Sequence, residues 1–183
     1  MLLSPLDSGI YLIPVSLALA IVAPITGWFF DKYRFQIISQ AGLIVSAIGF
    51  VLLTTMGQTI SYVDAILPLA LIGAGMGIFT SPNRATIMNS VPSNRRGVAA
   101  GISTTLVMTG SAFSIGLVFL IFSALLPSES VAVIFSGSTD HTSLNSIQFN
   151  NTILDRFILS IHVIFIISAL LMISSVLIQR KMN

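Results

Sequence analysis

The chain has 183 residues, 55% of them hydrophobic and only 8% charged, with a formal net charge of +2 and a mean hydropathy of +0.99. A soluble domain carries about 25% charged residues, so this composition excludes a soluble globular protein and describes an integral membrane protein. The small net charge gives no reason to expect a nucleic-acid partner. The absence of cysteine removes disulfides and thiolate metal ligands, and His141 and His162 lie too far apart to begin a metal site.

Taken in chain order, Ser4-Pro5-Leu6-Asp7 reads as a helix start. Ser4 is placed to cap, Pro5 fits the first helical position, and Asp7 stands where a capping-box acid would. No basic residue precedes Lys32, so the opening run lacks the positive region of a secretory signal. A helix that begins so near the first Met is unusual at a membrane protein's own N-terminus. The expectation is that the chain is a piece of something longer.

Five apolar runs follow, over about 9–30, 37–57, 65–88, 98–126 and 157–178. Crossing the hydrocarbon core takes about 20 mainly apolar residues in a helix. None of the runs shows the two-residue alternation of a membrane barrel. The expected fold class is all-α integral membrane protein with five transmembrane helices. Between the first two runs, Gly27-Trp28-Phe29-Phe30-Asp31-Lys32-Tyr33-Arg34 is the tight charge cluster of the first eighty residues. With five spans the loops alternate sides. Lys32, Arg34, Arg95, Arg96, Arg180 and Lys181 then share one side, and Arg156 lies on the other. Basic loops stay cytoplasmic, so the N-terminus is expected outside and the C-terminus in the cytoplasm. Trp28 and Tyr33 flank the inner interface, where an aromatic belt is expected.

The segment 127–151 is polar, rich in Ser, Thr and Asn, and reads as an external loop. It ends in a glycosylation sequon, Asn150-Asn151-Thr152, on the expected outer side, and Thr152 with Asp155 reads as the cap of the last helix.

Helices already in lipid gain little from burying apolar surface, so close packing through small residues matters more. Gly73 and Gly77 are four apart on the third span, and Gly97 and Gly101 are four apart at the start of the fourth. They read as helix-packing positions, or as a smooth surface on which helices slide during a conformational cycle. Gly73-Ala74-Gly75-Met76-Gly77 is no nucleotide loop, since no strand precedes it. Pro14, Pro24, Pro68 and Pro82 each remove a helical hydrogen bond and invite a kink.

Two ionisable residues inside spans stand out. Arg84 near the inner end of the third span either snorkels to the interface or makes a buried ion pair or an anion contact. His162 in the fifth span lies about two turns beyond Asp155, on nearly the same face. It reads as a hydrogen-bonded interhelical histidine or, because imidazoles exchange protons near neutral pH, as part of a proton relay. No acid lies deep in any span, although a proton-coupled transporter usually needs one.

Several of these pieces stand together in a known order. Gly27-x-x-x-Asp31-Lys32-Tyr33 resembles the loop signature of the major facilitator superfamily, Gly-x-x-x-Asp-Arg/Lys-x-Gly-Arg. With Ser4-Pro5-Leu6-Asp7-Ser8-Gly9 before it, and then Gly73-Ala74-Gly75-Met76-Gly77 and Val91-Pro92-Ser93-Asn94-Arg95-Arg96-Gly97-Val98-Ala99-Ala100-Gly101, the order resembles the C-terminal part of fourteen-span drug:proton antiporters. The likeness covers about Ser4 to Leu120, plus the external loop and the last span by position. The chain departs from the signature at Arg34, where the family has glycine, and at Phe35-Gln36, where basic residues are usual.

The resemblance implies two six-helix bundles with substrate bound between them. The present five spans would form an incomplete C-terminal bundle, and the missing N-terminal bundle would be its partner. It also implies a proton gradient as the coupling source, no bound cofactor, and export of small amphipathic molecules. Gly27, Asp31 and Lys32 would belong to an inner latch, with Asp31 meeting a helix start in the opposite bundle. Ser103, Thr104 and Thr105 are candidates for lining the cavity. A different reading is a non-transporting membrane subunit that assembles with a separately encoded partner. A membrane enzyme has little support, since neither a nucleophile with a matching base nor paired acids inside a span is evident.

Overall fold

The computed structural model describes residues 5–33, 37–56, 62–128, 131 and 151–182. It contains α1 (Pro5–Tyr33), α2 (Ile37–Thr54), α3 (Tyr62–Asn89), a 3-10 turn (Ser93–Arg95), α4 (Arg96–Leu125) and α5 (Asn151–Met182). No strand occurs among the described residues. Most of the segment 127–151, including Asn150 of the sequon, lies outside the described residues, as do Ser4 and 34–36.

Five stretches are long and apolar enough to cross a membrane: Gly9–Lys32, Ile37–Thr54, Tyr62–Asn89, Ser93–Leu125 and Ile153–Arg180. They fall on the five apolar runs, with ends that differ for local reasons. α2 stops at Thr54 rather than 57 because its last turn tightens. Thr55 N–H and Met56 N–H donate to the carbonyls of Leu52 and Leu53 at 3.2 and 3.3 Å, and the hydroxyls of Thr54 and Thr55 take the carbonyls of Val51 and Leu52 at 2.7 and 2.8 Å. α5 starts at Asn151 rather than 157 because the polar turns before the apolar run are helical too.

Chain hydroxyls in the spans mostly bond within their own helix. Thr26 donates to the Val22 carbonyl at 2.9 Å, Thr86 to Pro82 at 2.9 Å, Ser111 to Val107 at 2.9 Å and Ser160 to Arg156 at 2.8 Å. Lipid offers no donor or acceptor, so this back-bonding lets a polar side chain sit in a span.

Two compact units are distinguished, Met1–Ile102 with Phe165–Asn183, and Ser103–Ile164. In the first, α3 is the centre, and the close helix pairs are α1 with α3 and α2 with α3. Gly73 lies against Val15 and Gly27 against Ser81, so α1 and α3 run parallel. Gly49 lies against Pro68 and Gly42 against Phe79, so α2 runs antiparallel to α3. Phe50 of α2 also meets Phe165 of α5, ring centroids 5.9 Å apart. In the second unit Phe122, Leu126 and Val131 form a buried cluster covered by Val118, Ile153, Phe157, Ile161 and Ile164.

Candidate functional site

Glycine spacing on α3 explains how one helix serves two neighbours. At 100° per residue, positions 73 and 77 share a face while position 75 points about 200° away from 73. Gly73 faces α1, where an added Cβ would meet the Val15 carbonyl oxygen and stand 2.8 Å from the carbonyl carbon. Gly77 faces the same helix, where an added Cβ would stand 3.1 Å from the Ala23 nitrogen. Gly75 faces α2, where a Cβ would meet the Ser46 hydroxyl and lie 2.5 Å from the Gly42 carbonyl oxygen. Ser46 is buried and donates its hydroxyl to the Ile72 carbonyl across this seam at 3.3 Å. Gly42, Ser46 and Gly49 were not among the positions singled out from sequence, and Gly75 stood there only as part of the glycine run, not as a packing position. Gly42-x-x-x-Ser46 is a small-xxx-small pattern, the signal that points to them.

At the C-terminal end of the α1–α3 seam lie the residues of the loop signature. Gly27 is half-buried, and a Cβ there would stand 2.7 Å from the Ser81 hydroxyl. Within this chain its lack of a side chain lets α1 and α3 close. One turn on, Asp31 and Lys32 are exposed. The Lys32 ammonium sits 5.4 Å from the Trp28 ring centroid, a cation–π contact, and Trp28 meets Phe29 edge-on. Lys32 in the last turn suits the negative end of the helix dipole, whereas Asp31 opposes it. No partner for Asp31 is found among the described residues.

The start of α4 shows the reverse mismatch. Pro92 precedes the 3-10 turn without a side-chain capping bond, α4 has no acid in its first turn, and Arg95 and Arg96 are exposed there. Two cations thus stand at the positive end of a helix dipole.

The remaining candidates are not gathered with this cluster. Arg84, one alternative for which was a buried ion pair, is exposed, with no partner among the described residues. It lies on the face of α3 that carries Met76 and Thr80, away from the glycine-lined contacts with α2. His162 is half-buried on α5. Ser103 is half-buried, and Thr104 and Thr105 are exposed on α4. At Gly97 and Gly101 the close helix approach expected from sequence is not seen, since an added Cβ would meet nothing within 4 Å. Among the described residues of α4 the buried ones are Ile121 and Phe122, both far along the helix from these glycines.

Long apolar helices, hydroxyls bonded inside their own helices and seams closed through glycine define a multi-pass helical membrane protein. A family model described as Major Facilitator Superfamily matches residues 2–115, and the chain belongs to that family of membrane transporters. It is 32% identical over 117 residues to the uncharacterized transporter YebQ of Escherichia coli K12, covering 64% of this chain and 26% of that protein. It is 27% identical over 123 residues to the multidrug resistance protein Stp of Mycobacterium tuberculosis, covering 67% and 23%. Against the methyl viologen resistance protein SmvA of Salmonella typhimurium it is 24% identical over 121 residues, covering 66% and 24%. The chain therefore spans about a quarter of the length of these relatives. No solved structure gives a significant match.

Proposed function

We propose that the chain works as the C-terminal part of an exporter of small amphipathic molecules, driven by a proton gradient, whose other bundle is supplied by residues outside it. The observation that carries this reading is the pair of opposed charge mismatches. Asp31 sits at the negative end of α1, and Arg95 and Arg96 sit at the positive end of α4, which has no acid in its first turn. Each is unfavourable within this chain, and each is relieved by an opposite bundle that offers a helix N-terminus to Asp31 and a carboxylate to the start of α4.

In this arrangement Gly27, Asp31 and Lys32 form the inner latch, and Ser103, Thr104 and Thr105 line the cavity. The N-terminus lies outside, following the sorting of basic residues. Transport proceeds by rocking of one bundle against the other about a midplane site. The names of Stp and SmvA favour a drug-like substrate class. The proton-coupling acid is expected in the other bundle.

The test is an efflux and drug-resistance assay in a strain lacking its own exporters. The chain alone is expected to give no proton-coupled efflux, and expression with a complementary bundle is expected to give it. Robust efflux from the 183-residue chain alone overturns the reading.

A further inference from the structure

Pro14 lies inside α1. Proline has no N–H, so the carbonyl four residues before it, that of Ile10, has no helical donor from that position. The structure supplies a substitute from another helix. Tyr62, the first residue of α3, donates its hydroxyl to the Ile10 carbonyl at 3.4 Å. The same ring meets Tyr11 edge-on, centroids 4.9 Å apart and planes at 88°. One side chain thus takes the vacated carbonyl and stacks on the residue beside it.

We propose that Pro14, Ile10 and Tyr62 form a hinge with a catch. Pro14 makes α1 bendable at this point, and Tyr62 decides whether the segment 5–13 is fastened to α3 or free to swing about the bend. Only this short end segment moves, because below it Gly73 and Gly77 hold the two helices at backbone contact. At 3.4 Å the hydrogen bond is longer than the usual hydroxyl–carbonyl distance of about 2.5–3.0 Å, a weak catch and not a lock. Ile10 and Tyr62 stand at the first residues of their spans, Gly9–Lys32 and Tyr62–Asn89, at the membrane–water interface, so water can replace the phenol when the catch opens and the carbonyl is not left unsatisfied. Deep in hydrocarbon no such exchange is available, and the same bond would act as a lock. The inference concerns a seam within this chain and stands whether or not the chain transports.

An ordinary interfacial tyrosine would also sit at a helix end, but it would owe nothing to Pro14. Two substitutions separate these roles. Tyr62→Phe keeps the ring and its stack on Tyr11 while removing the hydroxyl. Pro14→Ala returns a helical N–H to Ile10 and makes the hydroxyl redundant. The chain has no cysteine, so spin labels can be placed at Gly9→Cys, where nothing lies within 4 Å, and Val63→Cys, which is 71% exposed.

Distances between the labels are read by pulsed electron resonance on the full chain in lipid nanodiscs. The parent and Pro14→Ala are expected to give one dominant distance. Tyr62→Phe is expected to raise the displaced population roughly two- to three-fold, the effect of one modest interhelical hydrogen bond. The double variant is expected to return to one distance. An unchanged distribution in Tyr62→Phe overturns the proposal. So does displacement of equal size with and without Pro14, or loss of the α1–α3 distance that Pro14→Ala does not restore.

Discussion

Gly73 and Gly75 are near neighbours on α3, yet they answer to different helices, and their substitution should be read that way. A methyl at Gly75 would meet the carbonyl of Gly42 and the nitrogen of Ser46, backbone atoms that cannot turn aside. Gly75→Ala is therefore expected to destabilise the α2–α3 seam by about 1–3 kcal/mol, the usual cost of overpacking. Gly97→Ala meets open space and should be neutral or stabilising by up to about 1 kcal/mol, since alanine is the better helix former. Thermal unfolding in detergent checks both, and the reverse ranking would count against this packing. Ser46→Ala should cost about 0.6 kcal/mol, the average for interhelical hydrogen bonds in a membrane bundle, and so less than Gly75→Ala. At this scale the sequence was partly legible. The glycines at 73 and 77 mark one face by arithmetic alone. Smallness, however, permits an approach without naming a partner, so Gly97 and Gly101 look equivalent to them by spacing, although an added Cβ at either meets nothing within 4 Å among the described residues.

Among elements, the five crossings were readable because lipid solvation imposes a length and a composition. Helix ends were less readable because hydrophobicity marks the crossing and not the helix. The polar turns at the start of α5, from Asn151, continue its hydrogen-bonding without continuing its apolar run. Which helix packs on which was also hidden, since α1, α2 and α4 are all apolar, and only the backbone approach at the α3 glycines distinguishes the first two. The exposed α4 carries its own test. If Thr104 lines an aqueous cavity in the complete transporter, Thr104→Cys reacts there with a water-soluble maleimide, whereas Leu171→Cys on α5, exposed in this chain, stays unmodified against lipid. Equal protection at both positions would remove Thr104 from the cavity lining.

For the whole molecule, the strongest claim from sequence concerns the two sides of the membrane. Asp64→Cys and Asn94→Cys are both exposed positions near opposite ends of the α3 crossing. An impermeant thiol reagent added outside intact cells should label the first and not the second. Labelling of both, or of Asn94→Cys alone, would reverse or discard the assignment. The family, too, was legible, because its loop signature and the Arg95-Arg96-Gly97 segment stand in order along a stretch that the family model also covers. The central place of α3 has a further consequence, for the making of the protein. A ribosome delivers α1 and α2 first, but the surface each packs against belongs to the helix that follows them. Until Gly73, Gly75 and Gly77 have entered the bilayer, both earlier helices wait there as unassembled spans. The interval before α3 arrives is then when membrane quality control has its best access to the newborn chain.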